Sequence, residues 1–252
     1  LHKCYRGSRL QSSVVAAMLT FHRLARTWDE HVTTYIALTG FARRKLIAGG
    51  LPAHKIVIKP NFIYPDPGKR SAASGYALFV GRLSAEKGIE TLLKAWKGTP
   101  EIPLKVAGDG PLRALVEDAA EGTTGSRIEP LGWRSRQEII GLMKEASFLV
   151  FPSEWYEGFP LTIVEAFACG IPVIGSRLGS VGEIIQKDAS GVLFEPGDAS
   201  GLASSVRRLW SDTRLRAQLG SGARAQYETH YSAEKNYELL MGIFDHALEK
   251  RG

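Results

Sequence analysis

The rhythm of apolar positions changes near residue 76. Before it, Leu10, Val14, Val15, Met18, Phe21, Leu24 and Ala25 recur near the helical period and predict a helix over residues 8–28, basic toward its end through Arg23 and Arg26. Two readings of that helix stand: one packs it on a parallel sheet, the other lays it in a membrane interface. Thr33 to Thr39 predicts a buried strand, Phe41 to Ala48 a short helix stopped by Gly49-Gly50, and Lys55 to Lys59 a second strand. Pro60, Pro65, Pro67 and Gly68 then fall within nine residues and mark a linker. Beyond it, the short apolar runs Tyr76–Val80, Leu104–Ala107, Phe148–Phe151, Pro172–Ile174 and Gly191–Phe194 are each followed by a helical or turn-rich segment. That alternation predicts an α/β unit with a doubly wound parallel sheet, whose ligands bind outside the carboxyl ends of the strands. Ala233 to Arg251, with Tyr237, Leu240, Met241, Phe244 and Leu248 at helical spacing, predicts a closing helix.

Composition narrows the class. Hydrophobic residues make up 44% of the 252 and charged residues 23%, which supplies a sizeable core and excludes disorder as the main state. The longest apolar run, Val14 to Leu19, is far short of the roughly 20 residues a spanning helix needs. The two cysteines, Cys4 and Cys169, make no disulfide framework, and a reducing, cytoplasmic setting is expected. The chain opens on Leu1 and its first methionine is Met18, so a piece of a longer reading frame is expected. Residues 1–59 hold ten Lys or Arg against two acids, a net +8 within a total of +6. This asymmetry suggests an anionic partner for the first quarter, either a phosphorylated substrate or peripheral contact with an anionic membrane at its inner face. Nucleic acid is not the expected partner, because no zinc-finger, RNP or basic-zipper pattern accompanies the charge.

Candidate chemistry lies just after the strands. Gly81 lets the chain turn sharply off the first of them, and Arg82 and Lys87 set two cations where an oligophosphate fits. Gly108-Asp109-Gly110-Pro111 reads as a tight turn with proline at the first position of a helix. The run from Phe151 to Ala166 is the most specific: Pro160 suits a first helical position, which leaves the amides around Gly158, Phe159, Pro160 and Leu161 pointing out of a helix start suited to a phosphate or to sugar hydroxyls. Glu157 just before that helix and Glu165 inside it are two carboxylates near a phosphate site. They are compatible with it when they accept hydrogen bonds from sugar or ribose hydroxyls. Trp155 and Tyr156 read equally as stacking groups or as packing, and Cys169 reads as a small buried hydrophobe. The six histidines lie outside these motifs, and no His/Cys/Asp spacing reads as a metal site.

GRLSAEKG, GDGP, the Glu157 and Glu165 pair with seven residues between them, and EGFPLTIVEAFACGIPVIGSRLGSVGEII, in this order, resemble the donor-binding half of retaining GT-B fold glycosyltransferases of family 4. TTYIALTGFARR and KIVIKPN are similar to the segments that end the family's first domain. The resemblance implies a Rossmann-like doubly wound sheet forming the C-terminal donor domain over 76–231. A remnant of the N-terminal, acceptor-side domain would occupy 1–60, a linker 61–75 and the closing helix 232–252. Arg82 and Lys87 would bind the diphosphate of a nucleotide sugar, with Gly81 in the same turn. Glu165 would hold the ribose, and Glu157 with Gly158, Phe159, Pro160 and Leu161 the transferred sugar. The backbone of Gly132, Trp133 and Arg134 would meet the base. Transfer would need no metal or other cofactor, and the acceptor would be a polysaccharide or lipid-linked sugar of the cell envelope. Two departures stand out: only about sixty residues of the family's first domain are present, and Phe62 follows Pro60-Asn61 where many members carry glycine. Other readings stay open, namely a non-catalytic nucleotide-sugar-binding or interaction module, and a sugar phosphorylase or nucleotide-sugar epimerase on a related architecture.

Overall fold

The computed structural model describes residues 7–70, 75–122 and 127–249. Cys4, residues 71–74 of the expected linker and the last residues of the expected closing helix lie outside them. The chain begins with helices α1 (Arg9–Leu24) and α2 (Thr27–Glu30), then strand β1 (Tyr35–Ala37), helix α3 (Gly40–Ala48) and strand β2 (Ile56–Ile58). Strands β1 and β2 pair in parallel as a separate two-stranded sheet, Tyr35 against Ile56. After the extended 59–70 stretch come β3 (Ala77–Val80), α4 (Ile89–Lys97), β4 (Leu104–Ala107), α5 (Arg113–Glu121), β5 (Ile128–Gly132), α6 (Arg136–Glu145) and β6 (Phe148–Phe151). The chain then runs through α7 (Leu161–Ala168), β7 (Val173–Ser176), α8 (Gly179–Ile184), β8 (Gly191–Phe194), α9 (Ala199–Ser211), α10 (Thr213–His230) and α11 (Ala233–Glu249).

Six parallel strands order as β5-β4-β3-β6-β7-β8. From β3 the chain winds outward through β4 and β5, then returns to lay β6 on the other side of β3, so the winding direction reverses between β3 and β6. A crevice at the carboxyl ends is expected at that reversal. The two-residue period of the strands divides the core. Ala77, Phe79, Leu104, Val106, Phe148, Val150 and Ile174 face one layer with Leu92, Trp96, Val116, Leu202 and Val206. Leu78, Ala107, Leu149, Phe151 and Val173 face the other, with Met143, Ile163, Phe167 and Tyr227. Both faces are covered by helices, which is why the strands read as continuous apolar runs rather than alternating ones.

Three expectations need correcting. The predicted helix over 8–28 is broken at Ala25-Arg26, where Arg26 takes a left-handed conformation, and no residue of α1 is buried. Leu10, Val14, Phe21 and Leu24 stand exposed, so α1 does not pack on either sheet. Pro160 is the residue before α7, not its first, and Pro111 lies in the turn two residues ahead of α5. Strand β5 was not read from the sequence at all: it sits at the sheet edge with Glu129 and Pro130 in its middle and pairs only with β4. Among the described residues no helix is long and apolar enough to cross a membrane.

Candidate functional site

Backbone contacts stack the turns that leave β3, β4 and β5. The Leu83 amide donates to the Asp109 carbonyl at 2.9 Å, the Leu112 amide to the Leu83 carbonyl at 2.8 Å and the Gly108 amide to the Gly132 carbonyl at 2.8 Å. Gly108 has φ +150°, and a Cβ there would stand 1.8 Å from the Gly81 carbonyl oxygen, so glycine is what permits the approach. On the other side the turn after β3 is tied to the loop after β6. The Glu154 amide donates to the Glu86 carbonyl at 2.9 Å, and the Thr91 hydroxyl donates to the Glu154 carboxylate at 2.6 Å. Gly88, at φ +70°, lies where a Cβ would meet the Pro152 carbonyl oxygen at 1.9 Å.

These ties bring the residues singled out from the sequence around one cavity of about 240 Å³ at the reversal between β3 and β6, lined by Gly81, Arg82, Lys87, Ser153, Glu157, Phe159, Pro160, Leu161 and Thr162. Lys87 Nζ lies 2.6 Å from Glu157 Oε1, with their side chains 27% and 18% exposed. The Ser153 hydroxyl donates to the same Glu157 oxygen at 2.8 Å. Ser153 and Thr162 were not named from the sequence, although both stand inside the motif that carried Glu157. Helix α7 opens onto the cavity; its capping position, Pro160, offers no side-chain acceptor, and although the Ile163 amide donates to the Pro160 carbonyl at 3.1 Å, the Leu161 and Thr162 amides keep their donor capacity.

Other predicted residues sit apart. Glu165, on α7, forms an ion pair with Arg136 at 3.1 Å; its side chain is 14% exposed, and Arg136 also donates to the Tyr64 carbonyl at 3.2 Å. Gly132 lines a separate cleft of about 100 Å³ with Gly108, Arg113 and Glu117. Trp133 is 72% exposed beside it, and Arg134 approaches Glu138 at 3.8 Å. Trp155 and Tyr156 are both exposed, and the Tyr156 ring packs against Phe41 with centroids 4.9 Å apart and planes tilted by 40°. Cys169 is fully buried, and burial pushes its thiol up to about 12, which removes it as a nucleophile near neutral pH.

The family model of the glycosyl transferases group 1 matches residues 66–226, well over half of the chain. The chain belongs to that family. The matched span includes every strand of the six-stranded sheet and every side chain around the 240 Å³ cavity. Among relatives of this group 1 domain, the glycosyltransferase MJ1178 of Methanocaldococcus jannaschii is 35% identical over 168 residues, 67% of this chain and 46% of that protein. The amylovoran biosynthesis glycosyltransferase AmsK of Erwinia amylovora is 28% identical over 218 residues, 81% of this chain and 54% of that protein. The chain thus spans about half the length of the relatives it matches. In fold it is similar to HepE of Anabaena, solved with UDP and glucose, at TM-score 0.74 and 23% identity, covering 84% of this chain and 63% of that one. Sucrose-phosphate synthase of Thermosynechococcus elongatus aligns at TM-score 0.73 and 25% identity, covering 86% and 58%. The architecture is that of GT-B glycosyltransferases, as the resemblance implies.

Proposed function

We propose that this group 1 domain binds the nucleotide-sugar donor of a retaining glycosyltransferase of family 4, a hexosyltransferase. The observation that carries the reading is the convergence of Arg82, Lys87, Glu157 and the start of α7 on one cavity at the sheet's reversal point. On this reading the donor diphosphate lies against Arg82, Lys87 and the first amides of α7, a preorganised positive field that stabilises the charge developing on the leaving diphosphate. Glu157, with the backbone of 158–161, accepts hydrogen bonds from the transferred sugar. Glu165 holds the ribose once Arg136 gives way, and the 132–134 turn meets the base. The bond from the anomeric carbon to the diphosphate oxygen breaks as the acceptor oxygen bonds to the same face of that carbon, and the departing phosphate takes the acceptor's proton. No metal enters this scheme, and the acceptor is a polysaccharide or a lipid-linked sugar.

Calorimetric titration with uridine, guanosine and adenosine diphosphates, then with their sugar conjugates, tests the reading. Uridine is first in order because HepE was solved with UDP. Saturable binding of one diphosphate is expected, weakened about 10- to 150-fold by Arg82→Ala or Lys87→Ala, the range for hydrogen bonds to charged groups. Binding that survives both changes would sink the phosphate assignment. Because the chain spans about half of its relatives, a donor-binding module without transfer activity of its own is the second reading. Sugar transfer by this chain alone would exclude it.

Peripheral contact with an anionic membrane is part of the same proposal. It rests on the exposed apolar residues of α1 and the +8 of residues 1–59. Flotation with anionic vesicles that fades with salt supports it. Absence of binding, or binding unaffected by salt, counts against it.

A further inference from the structure

Both chain neighbours of Glu157 are gripped by groups remote from the donor cavity. Before it, the Tyr156 ring stacks on Phe41, at the start of α3, with centroids 4.9 Å apart. After it, the Gly158 carbonyl accepts a hydrogen bond from the Ser180 hydroxyl of α8 at 3.3 Å. Ser180 lies 3.1 Å from the Thr39 hydroxyl, which caps α3 by accepting from the Ala42 amide at 3.1 Å. Glu183, one turn further along α8, accepts from the Gly40 and Phe41 amides at 2.7 and 2.6 Å and pairs with Arg44 at 3.3 Å. The start of α3 is thus capped twice, by Thr39 from its own segment and by Glu183 from the other side of the linker.

We infer that Glu183 and Phe41 are positioning residues: they clamp the start of α3 onto the 155–159 loop and so fix where Glu157 stands in the cavity. From the cavity side Glu157 is held by Lys87 at 2.6 Å and Ser153 at 2.8 Å, and Phe159 packs on Tyr231; the anchors from α3 and α8 hold the same span from the opposite side. Ser153 and Glu154 are tied to the turn after β3 and Pro160 caps α7, while the half-exposed Tyr156 ring meets Phe41 and, at 5.2 Å, the Lys45 ammonium of α3. Gly179 completes the clamp, for a Cβ there would press on Tyr156 at 2.9 Å and on Phe41 at 3.2 Å. A carboxylate accepting two amides at a helix start is electrostatically favoured, so α3 has a defined seat on α8. Motion of the segment before the linker therefore reaches Glu157 through one ring stack and one hydroxyl pair. Arg82 and Lys87 are carried by the turn after β3, and Lys87 meets the clamped loop through its pair with Glu157.

The role of Glu157 toward the sugar belongs to the proposed function, and the test separates the two. Hydrogen exchange of the ligand-free full chain, read by mass spectrometry, is compared for the wild type, Phe41→Ala, Phe41→Tyr and Glu183→Gln. Amides 155–159 are expected to exchange about tenfold faster in Phe41→Ala, to keep the wild-type rate in Phe41→Tyr, which retains the ring, and to leave β3 and β6 protected throughout. In titrations, Phe41→Ala is expected to lose about tenfold in affinity for the nucleotide sugar, with the diphosphate unchanged to within about threefold or bound more tightly. Unchanged exchange at 155–159, or parallel loss of both ligands, overturns the clamp. A wild type that binds neither ligand defeats the donor reading alone, because the exchange comparison still decides the clamp. If Phe41→Ala does not fold, Glu183→Gln, which keeps one acceptor at the helix start, carries the same comparison.

Discussion

Replacing Glu157 with glutamine should have opposite effects on two ligands that differ only by a sugar. In the free protein the carboxylate holds Lys87 at 2.6 Å, in a pair about one quarter and one fifth exposed. Exposed pairs contribute about 0.2–1 kcal/mol and breaking a buried pair costs about 3–5 kcal/mol, which brackets this partly buried one at about 1–3 kcal/mol. A diphosphate entering the cavity must share Lys87 with Glu157 and sits beside a like charge. Glu157→Gln removes both penalties, so nucleoside diphosphate affinity should rise by about 0.5–1.5 kcal/mol, roughly 2- to 12-fold. The sugar hydroxyls, by contrast, lose a charged acceptor, worth about 1.5–3 kcal/mol, so nucleotide-sugar affinity should show a net loss of about 0–2.5 kcal/mol, a fall of up to about 70-fold. Calorimetry at fixed ionic strength on wild type, Glu157→Gln, Lys87→Met and the double variant measures both and closes a thermodynamic cycle. A Glu157→Gln variant that loses diphosphate affinity as heavily as Lys87→Met would refute the competition. It would mean that the carboxylate holds the lysine in place for the phosphate.

Three further outcomes follow from the geometry. Gly88→Ala, at positive φ with its Cβ 1.9 Å from the Pro152 carbonyl, should lower stability by about 3 kcal/mol or more and open the cavity, measured by thermal melting; a variant as stable as wild type would show that the β3 and β6 loops are not locked together. Asp66 makes a two-pronged contact with Arg224 at 2.8 and 2.6 Å, and the Arg224 guanidinium holds its carboxyl below the ordinary value. Its depressed folded-state value means the stabilisation is present above the ordinary carboxylate range and is lost as pH falls through and below it, so Asp66→Asn should flatten the acid limb of a stability–pH curve while lowering stability at neutral pH by about 1 kcal/mol. Cys169 should resist iodoacetamide at pH 8 in the folded protein and react on denaturation, read by peptide mapping; modification at the rate of a free thiol would contradict its burial.

The strands that the sequence marked best are those buried on both faces. Phe148–Phe151 has the same bounds in the structure because an unbroken apolar run is what a covered central parallel strand requires, and Leu104–Ala107 and Gly191–Phe194 keep theirs although one holds Lys105 and the other lies at a sheet edge. Strand β5 escaped because an edge strand has one neighbour and tolerates Glu129 and Pro130. The apolar stripe of α1 was visible, but a stripe records only that a face is apolar and not what lies against it. The cavity's cations and Glu157 were legible as motif residues. The hold of Ser153 on Glu157, the partnership of Glu165 with Arg136 and the clamp by Glu183 and Phe41 were not, since each joins residues whose spacing along the chain follows no period.

The turns behind the cavity meet main chain against main chain, with Gly108 against Gly81 and Gly88 against Pro152. At Gly88 and Gly108 almost any replacement collides with a carbonyl oxygen before it can change what is recognised. Positions free of such collisions include Trp133, Trp155 and Leu161, which stand exposed. A library aimed at a new nucleotide sugar should randomise those three positions and leave the glycines untouched.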